Sequence, residues 1–158
     1  MNKRVKNRVA QISDNLHFRL ILAHDLYDFV QIWNQQSTVL TESQKQFTFD
    51  SITQRYMDRG DHVYYGCFLR NKLNGFVICR AETDIFWIKF FAIENSFQNL
   101  GIGTKLLEFA CNLAKKSQVI KTEVLIPNIQ GLNFFLHHGF SIKEFHSGEP
   151  SEYVLKFD

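Results

Sequence analysis

Gln98-Asn99-Leu100-Gly101-Ile102-Gly103 stands between an apolar run, Ile85–Ile93, and an amphipathic stretch over residues 104–117. That position predicts a strand, a glycine-rich turn and a helix, the layout of a phosphate cradle. Gly101 and Gly103 carry no Cβ, so the backbone can come close to a ligand. The helix that follows opens with unpaired N–H groups and the positive end of its dipole, which favour an anion such as a pyrophosphate. Three readings compete for these residues. A P-loop has Gly-Lys-Ser/Thr at the turn, whereas Gly103 is followed by Thr104 and Lys105. A dinucleotide fingerprint has a third glycine, with an acidic ribose ligand about 20 residues on. Leu106 takes the glycine's place here, while Glu123 falls near the acidic one. The third reading is a strand-to-helix turn that binds nothing.

Outward from the turn, hydrophobic periodicity sets the element order. Residues 17–22 alternate as a strand, and residues 25–35 carry Leu26, Phe29, Val30 and Trp33 at helical spacing. A second helix is expected within residues 41–59, with Phe47, Ile52 and Tyr56 toward the core and Gly60 at its end. Residues 63–69, 76–81 and Ile85–Ile93, separated by polar turns at 70–74 and 82–84, read as three antiparallel strands. The helix after the turn keeps Ile102, Leu106, Phe109, Ala110 and Leu113 on one stripe, with Lys105, Glu108, Asn112 and Lys116 opposite. Residues 122–126 read as a strand stopped by Pro127, and residues 132–138 as a brief helix closed by Gly139. Final strands at 140–145 and 153–157 flank a loop at 147–151. The order is β-α-α-β-β-β-α-β-α-β-β.

Composition bounds the rest. A chain of 158 residues with 45% hydrophobic residues, 22% charged residues and sixteen phenylalanines can bury the core of one packed domain. The net charge of +2 is too small for a phosphate-tracking face, so no nucleic-acid partner is expected. Lys3, Arg4, Lys6 and Arg8 precede the first acid, Asp14, which predicts a flexible basic segment at 1–15 ahead of a domain at 16–158. The segment lacks the pattern of a signal peptide, and no apolar run approaches a membrane span; a cytoplasmic protein with no membrane partner is expected. Cys67, Cys79 and Cys111 are odd in number, widely spaced and set in apolar sequence, which favours buried free thiols over disulfides or a metal site.

Strand, QNLGIG turn, helix, short strand, then Asn128, Gly131, Phe134-Phe135 and Gly139-Phe140 resemble the GCN5-related N-acetyltransferases (GNAT). That family carries Q/R-x-x-G-x-G/A at the start of its central helix, matched by Gln98, Gly101 and Gly103. The resemblance implies a single-domain α/β protein with the acyl-CoA N-acyltransferase-like fold, a mixed, mostly antiparallel sheet flanked by helices. It also implies an acetyl-CoA site. Backbone N–H groups of Gln98, Asn99, Leu100, Gly101, Ile102, Gly103 and Thr104 would take the pyrophosphate. A bulge would splay the fourth strand from the fifth, leaving Phe91 and Ile93 to pair with the pantetheine arm. The Ile93 N–H would stabilise the oxyanion, the Asn128 amide would reach the cofactor, and Phe134 and Phe135 would shape the pocket. The implied reaction moves acetyl directly to a primary amine, small molecule or peptide, in a ternary complex. A homodimer is left open.

Two departures from the family bear on catalysis. The second aromatic is usually tyrosine, a proton donor to the departing thiolate, and here it is Phe135. Many members carry a glutamate on the fourth strand, whereas Trp87-Ile88-Lys89-Phe90 holds no carboxylate. No side-chain acid or base is therefore assigned, and Glu82, Asp84, Glu123, His137, Glu144 and Glu149 remain as replacements. The residues that shape the acceptor site are expected within 33–56 and 145–153. The same departures keep open a non-catalytic acyl-CoA sensor or regulatory subunit.

Overall fold

The computed structural model describes residues 12, 15–37 and 47–158. Of the basic segment expected at 1–15, all but Ile12 and Asn15 lie outside the described residues, as do residues 38–46 of the stretch expected to hold the second helix. The chain runs β1 (Leu16–Leu20), α1 (Leu26–Gln35), α2 (Phe49–Met57), β2 (His62–Leu69), β3 (Lys72–Ala81), β4 (Ile85–Ile93), α3 (Ile102–Leu113), β5 (Val119–Leu125), α4 (Ile129–His137), β6 (Phe140–His146) and β7 (Glu152–Phe157). The seven strands form one mixed sheet in the order β1-β2-β3-β4-β5-β7-β6. Only the central β4–β5 pair is parallel among them.

Several boundaries differ from the sequence reading, each for a physical reason. The polar turn expected at 70–74 is two residues long, because Arg70 and Asn71 both adopt positive φ, 52° and 64°, and close the hairpin tightly. Strand β3 therefore begins at Lys72, and polar Asn74 is buried in it. Its Oδ1 accepts the Leu69 N–H at 3.1 Å and its amide donates to Glu94 at 3.3 Å. Strand β5 starts at Val119 rather than 122 because β4 supplies partners from Ile85↔Val119 onward. Helix α4 starts at Ile129 rather than 132 because the Asn128 side chain caps it, accepting the Gly131 N–H.

The sheet divides two cores. On one face Ile102, Leu106, Leu107 and Ala110 of α3, with Phe135 of α4, cover Val77, Phe86, Ile88, Ile93 and Leu155. On the other, α1 and α2 bury Phe29, Val30, Trp33, Ile52 and Tyr56 against Phe68, Phe76, Ile78 and Ala92. Trp33 stacks on Phe76 with centroids 5.8 Å apart, and the Tyr56 hydroxyl donates to the Ile21 carbonyl at 2.8 Å. Each such large side chain contributes about 1.5–3 kcal/mol by burial.

One irregularity in β4 positions everything that follows. Ile88 faces Cys79 and Phe90 faces Ile78, so Lys89 is an extra residue bulged out of the β3–β4 ladder. The bulge shifts the side-chain phase: Ile88 and Phe91 both pack on the α3 side, while Phe90 packs toward α1. The parallel ladder ends at Ile88↔Thr122, although β4 runs on to Ile93 and β5 to Leu125. From Lys89 onward the two strands open into a wedge.

Candidate active site

Two cavities meet at this wedge. The first, about 280 Å³, is lined by Phe91, Ala92 and Ile93 of β4, by Gln98, Asn99, Gly101, Gly103 and Thr104 of the turn, and by Asn128, Gln130, Gly131, Phe134 and Phe135 of α4, with Gln36 and His138 at its margins. The expected ligand-binding residues thus come together except for two. The Ile102 side chain is buried in the core and Leu100 packs against the same cluster, so only their backbones remain for a ligand.

The geometry explains the glycines separately. Gly101 adopts a φ of 80°, and a Cβ there would meet open space, so backbone conformation is what demands glycine. At Gly103 a Cβ would sit 3.3 Å from Phe134 Cε2 and 3.7 Å from Ile93 Cγ1, so a side chain there would crowd the cavity wall. No side chain caps α3 at Gly101, an arrangement that suits an anion at the first-turn N–H groups.

The end of β4 offers its backbone to the same cavity. The Glu94 N–H donates to the Asn74 carbonyl at 2.9 Å. Because antiparallel rungs alternate, the backbone groups of Ile93 and Phe91 turn to the opposite edge, where β5 no longer pairs. The Gln98 amide donates to the Ile93 carbonyl at 3.1 Å and to Asn95 Oδ1 at 3.3 Å. Gln36 donates to the same Asn95 oxygen at 2.6 Å. The Gln98 side chain thus ties the turn to the strand end rather than lying free.

Two residues take roles the sequence reading did not assign. Asn128 Oδ1 is committed to the Gly131 N–H at 2.9 Å, so of its amide only the NH₂ group is left for a ligand. His138 Nδ1 lies 2.7 Å from the Phe134 carbonyl and can only donate there, so in the neutral ring Nε2 accepts from the Thr104 hydroxyl at 3.0 Å. In sequence, a histidine before a closing glycine reads as helix-end polarity. Its tie to Thr104 spans 34 residues.

The second cavity, about 360 Å³, lies between the diverging strands. Lys89, Phe90 and Phe91 of β4 form one wall, Thr122, Glu123, Val124 and Leu125 of β5 the other, and Pro150 and Glu152 come from the last hairpin. Phe91, Asn128 and Phe135 line both cavities. Lys89 and Glu123 form an ion pair across the wedge, their side chains 23% and 22% exposed, and the Lys89 ammonium lies 5.0 Å from the Trp87 ring centroid. Pro150 and Glu152 fall within 145–153, and no described residue of 33–56 lines this cavity.

Of the candidate acids and bases, Glu123 alone lines either cavity. Glu82 pairs with Arg80 at 3.6 Å and Glu144 with Lys121 at 3.6 Å. Asp84 lies beside Glu82 in the β3–β4 turn. Glu149 lines a separate depression with Ile126 and Pro127, and His137 is exposed with Nδ1 2.8 Å from the Asn133 carbonyl. Burial pushes the thiols of Cys67 and Cys79 up to about 12 and that of Cys111 up to about 11, and none lines either cavity. A thiolate nucleophile has no place here. Among the described residues no group of three or more His, Cys, Asp or Glu is placed to hold a metal ion, and no helix is long and apolar enough to cross a membrane.

Comparison with known proteins gives these features their class. The sequence profile of the acetyltransferase (GNAT) family matches residues 26–140. The chain belongs to that family. It is 33% identical over 87 residues to an uncharacterized N-acetyltransferase of Schizosaccharomyces pombe, a match spanning 52% of this chain and 60% of that protein. Its fold is similar to that of PaiA N-acetyltransferase from Thermoplasma acidophilum, solved in complex with coenzyme A, at a TM-score of 0.72 and 16% identity, covering 89% of this chain and 97% of that one. An acetyltransferase from Thermus thermophilus matches with a TM-score of 0.74 and 15% identity over 90% of this chain and 96% of that one. The mixed seven-stranded sheet flanked by helices is the fold of these acetyltransferases.

Proposed function

We propose that this protein is an acetyl-CoA-dependent N-acetyltransferase that moves the acetyl group directly to a primary amine in a ternary complex. The observation that carries the proposal is the wall of Phe91, Asn128 and Phe135 common to both cavities, which lets a donor in the first meet an amine in the second. The first cavity fits the donor: the uncapped start of α3 suits a pyrophosphate, and the unpaired edge of β4 suits an extended arm. Bound there, acetyl-CoA supplies a thioester-activated acetyl group.

The protein's own groups then act by position. The Ile93 N–H, turned to the open edge, is the donor for the developing oxyanion. Phe91, Phe134 and Phe135 keep water from the site, with Phe91 and Phe134 centroids 5.4 Å apart. Glu123 is the carboxylate placed to attract the ammonium and take its proton. Phe135 cannot protonate the leaving thiolate, so an acid contribution of roughly 10²–10⁴-fold is forgone there, while positioning and charge stabilisation remain. A covalent relay through cysteine has no support, because Cys67 and Cys79 are buried, Cys111 is half-buried, and none of them lines either cavity.

The test is thermal unfolding with acetyl-CoA, followed by thiol release across a panel of amines. Stabilisation by acetyl-CoA with acceptor-dependent thiol release is expected. No stabilisation at millimolar acetyl-CoA would overturn the proposal, and tight binding without release would favour an acyl-CoA sensor.

A further inference from the structure

The second cavity carries a charge arrangement that the family resemblance does not assign. Lys89 is the one cation that lines it among the described residues. It stands at the bulge, just past the last β4–β5 rung, and its ammonium meets the Glu123 carboxylate across the opening. The other nearby cation, Lys121, is engaged by Glu144 at 3.6 Å and lies outside the cavity lining. Glu152 stands at the hairpin side, 3.7 Å from His146 Nδ1. The remaining lining is largely apolar, with Phe90, Phe91, Val124, Leu125 and Phe135.

We propose that the acceptor is a zwitterion, an amine carrying its own carboxylate such as an apolar α-amino acid, bound by exchanging partners with the Lys89–Glu123 pair. This rests on the reading of the first cavity as the acyl-CoA site. A simple ammonium that took Glu123 from Lys89 would leave a partly buried lysine without a counter-ion, and an anion that took Lys89 would strand Glu123. Either loss carries the penalty of an uncompensated charge. A zwitterion replaces one ion pair with two, its ammonium on Glu123 and its carboxylate on Lys89, and leaves neither group unpaired. The two protein charges sit side by side, as the two charges of an α-amino acid do. The phenylalanines and Leu125 then face an apolar side chain, while Glu152 disfavours an acidic one.

The experiment is thermal unfolding of the full chain, with and without coenzyme A, at a pH where all three amines are protonated, in the presence of phenylalanine, phenethylamine or phenylalaninamide, which share the benzyl group and the amine and differ at the carboxylate position. Phenylalanine should stabilise the coenzyme-loaded protein, with an apparent affinity about tenfold or more above the other two. In Lys89→Met that preference should vanish while the coenzyme A shift persists. Lys89→Arg should retain the preference, and Glu123→Gln should weaken phenylalanine and phenethylamine alike. In turnover the same preference should appear in KM more than in kcat. Equal binding of the three ligands, no binding of any, or a preference that survives Lys89→Met would overturn the proposal. Tighter binding of the amide would instead point to a peptide N-terminus. A protein that prefers phenylalanine yet is not stabilised by coenzyme A would keep the zwitterion site and remove the acetyl-transfer reading.

Discussion

The Thr122 hydroxyl donates to the Ile88 carbonyl at 2.9 Å, on the last rung that β4 and β5 share. Thr122 is 2% exposed, so the bond closes the ladder where water cannot replace it. Thr122→Val keeps the shape and removes the donor, which should cost about 1–3 kcal/mol. Thermal unfolding should fall by roughly 2–12 °C for a chain of this size. Thr122→Ser, which retains the hydroxyl, should lose less. Equal losses in the two variants would mean that packing, not the hydrogen bond, fastens the wedge.

Gly131 and Asn128 are bound to each other by space as well as by the cap. A Cβ on Gly131 would fall 2.4 Å from Asn128 Nδ2 and 2.9 Å from Oδ1. Gly131→Ala should therefore expel the Asn128 side chain, at about the 1 kcal/mol of a lost cap. Because Asn128 lines both cavities, the stabilisation by coenzyme A should shrink as well, as a titration of the melting temperature would reveal. An unchanged titration would remove Asn128 from the proposed binding residues.

Gly103→Val tests the cradle. Wild-type protein at about 100 times the dissociation constant of coenzyme A should gain roughly 2.7 kcal/mol. The valine branches would crowd Phe134 and Ile93, whose nearest atoms lie 3.3 Å and 3.7 Å from a Cβ at this position. The variant should fold and lose most of the ligand shift. A full shift in the variant would place the ligand elsewhere.

Phe135 is 5% exposed and meets Phe91 and Phe140 edge to face at centroid distances of 5.8 Å and 5.1 Å. Phe135→Tyr adds a phenol at a residue that lines both cavities. If the hydroxyl finds the leaving sulfur, thiol release should rise by up to roughly 10²-fold, with coenzyme binding changed only a few-fold. A collapse of binding would show that the apolar cage cannot solvate a hydroxyl.

Acid stability should depend on Asp25. Burial pushes its carboxyl up, but two hydrogen bonds from Arg19 at 2.6 Å and 2.9 Å, one from the Leu22 N–H at 2.8 Å, and the nearby positive charge outweigh burial and hold it below the ordinary value. A carboxyl lowered by folding contributes stability above its unfolded value, about 3.9, and the contribution is lost as pH falls through the folded value. Asp25→Asn should lower stability at neutral pH and flatten the decline below about pH 4. Chemical denaturation across pH would expose a variant curve parallel to wild type, which would exclude this linkage.

Much of the fold was legible because it is local. The 3.6-residue stripe of Ile102, Leu106 and Ala110 needs no partner to be recognised, and these side chains are buried together. The glycines at 101 and 103 announce a turn whatever lies opposite, and Gly101 does take positive φ. The order of strands and helices follows from such signals. Most of the expected residues that line the first cavity sit on one turn and one short helix, between Gln98 and Phe135, whereas Gln36 and His138 reach it only through the fold.

What tertiary structure decided is whatever depends on register between distant segments. Nothing in Trp87-Ile88-Lys89-Phe90 marks Lys89 as a bulge, because a bulge exists only against the partner strand that has one residue fewer. Asn74 reads as a turn residue until Leu69 and Glu94 bring it hydrogen-bond partners inside the sheet. In sequence, Glu123 is one of several unassigned carboxylates. It became the one beside the proposed site because parallel pairing of β4 with β5 carries it across 34 residues to Lys89. Periodicity resides in each segment's own side chains, whereas the wedge, its ion pair and the shared cavity wall arise from pairing free energies that no single segment contains.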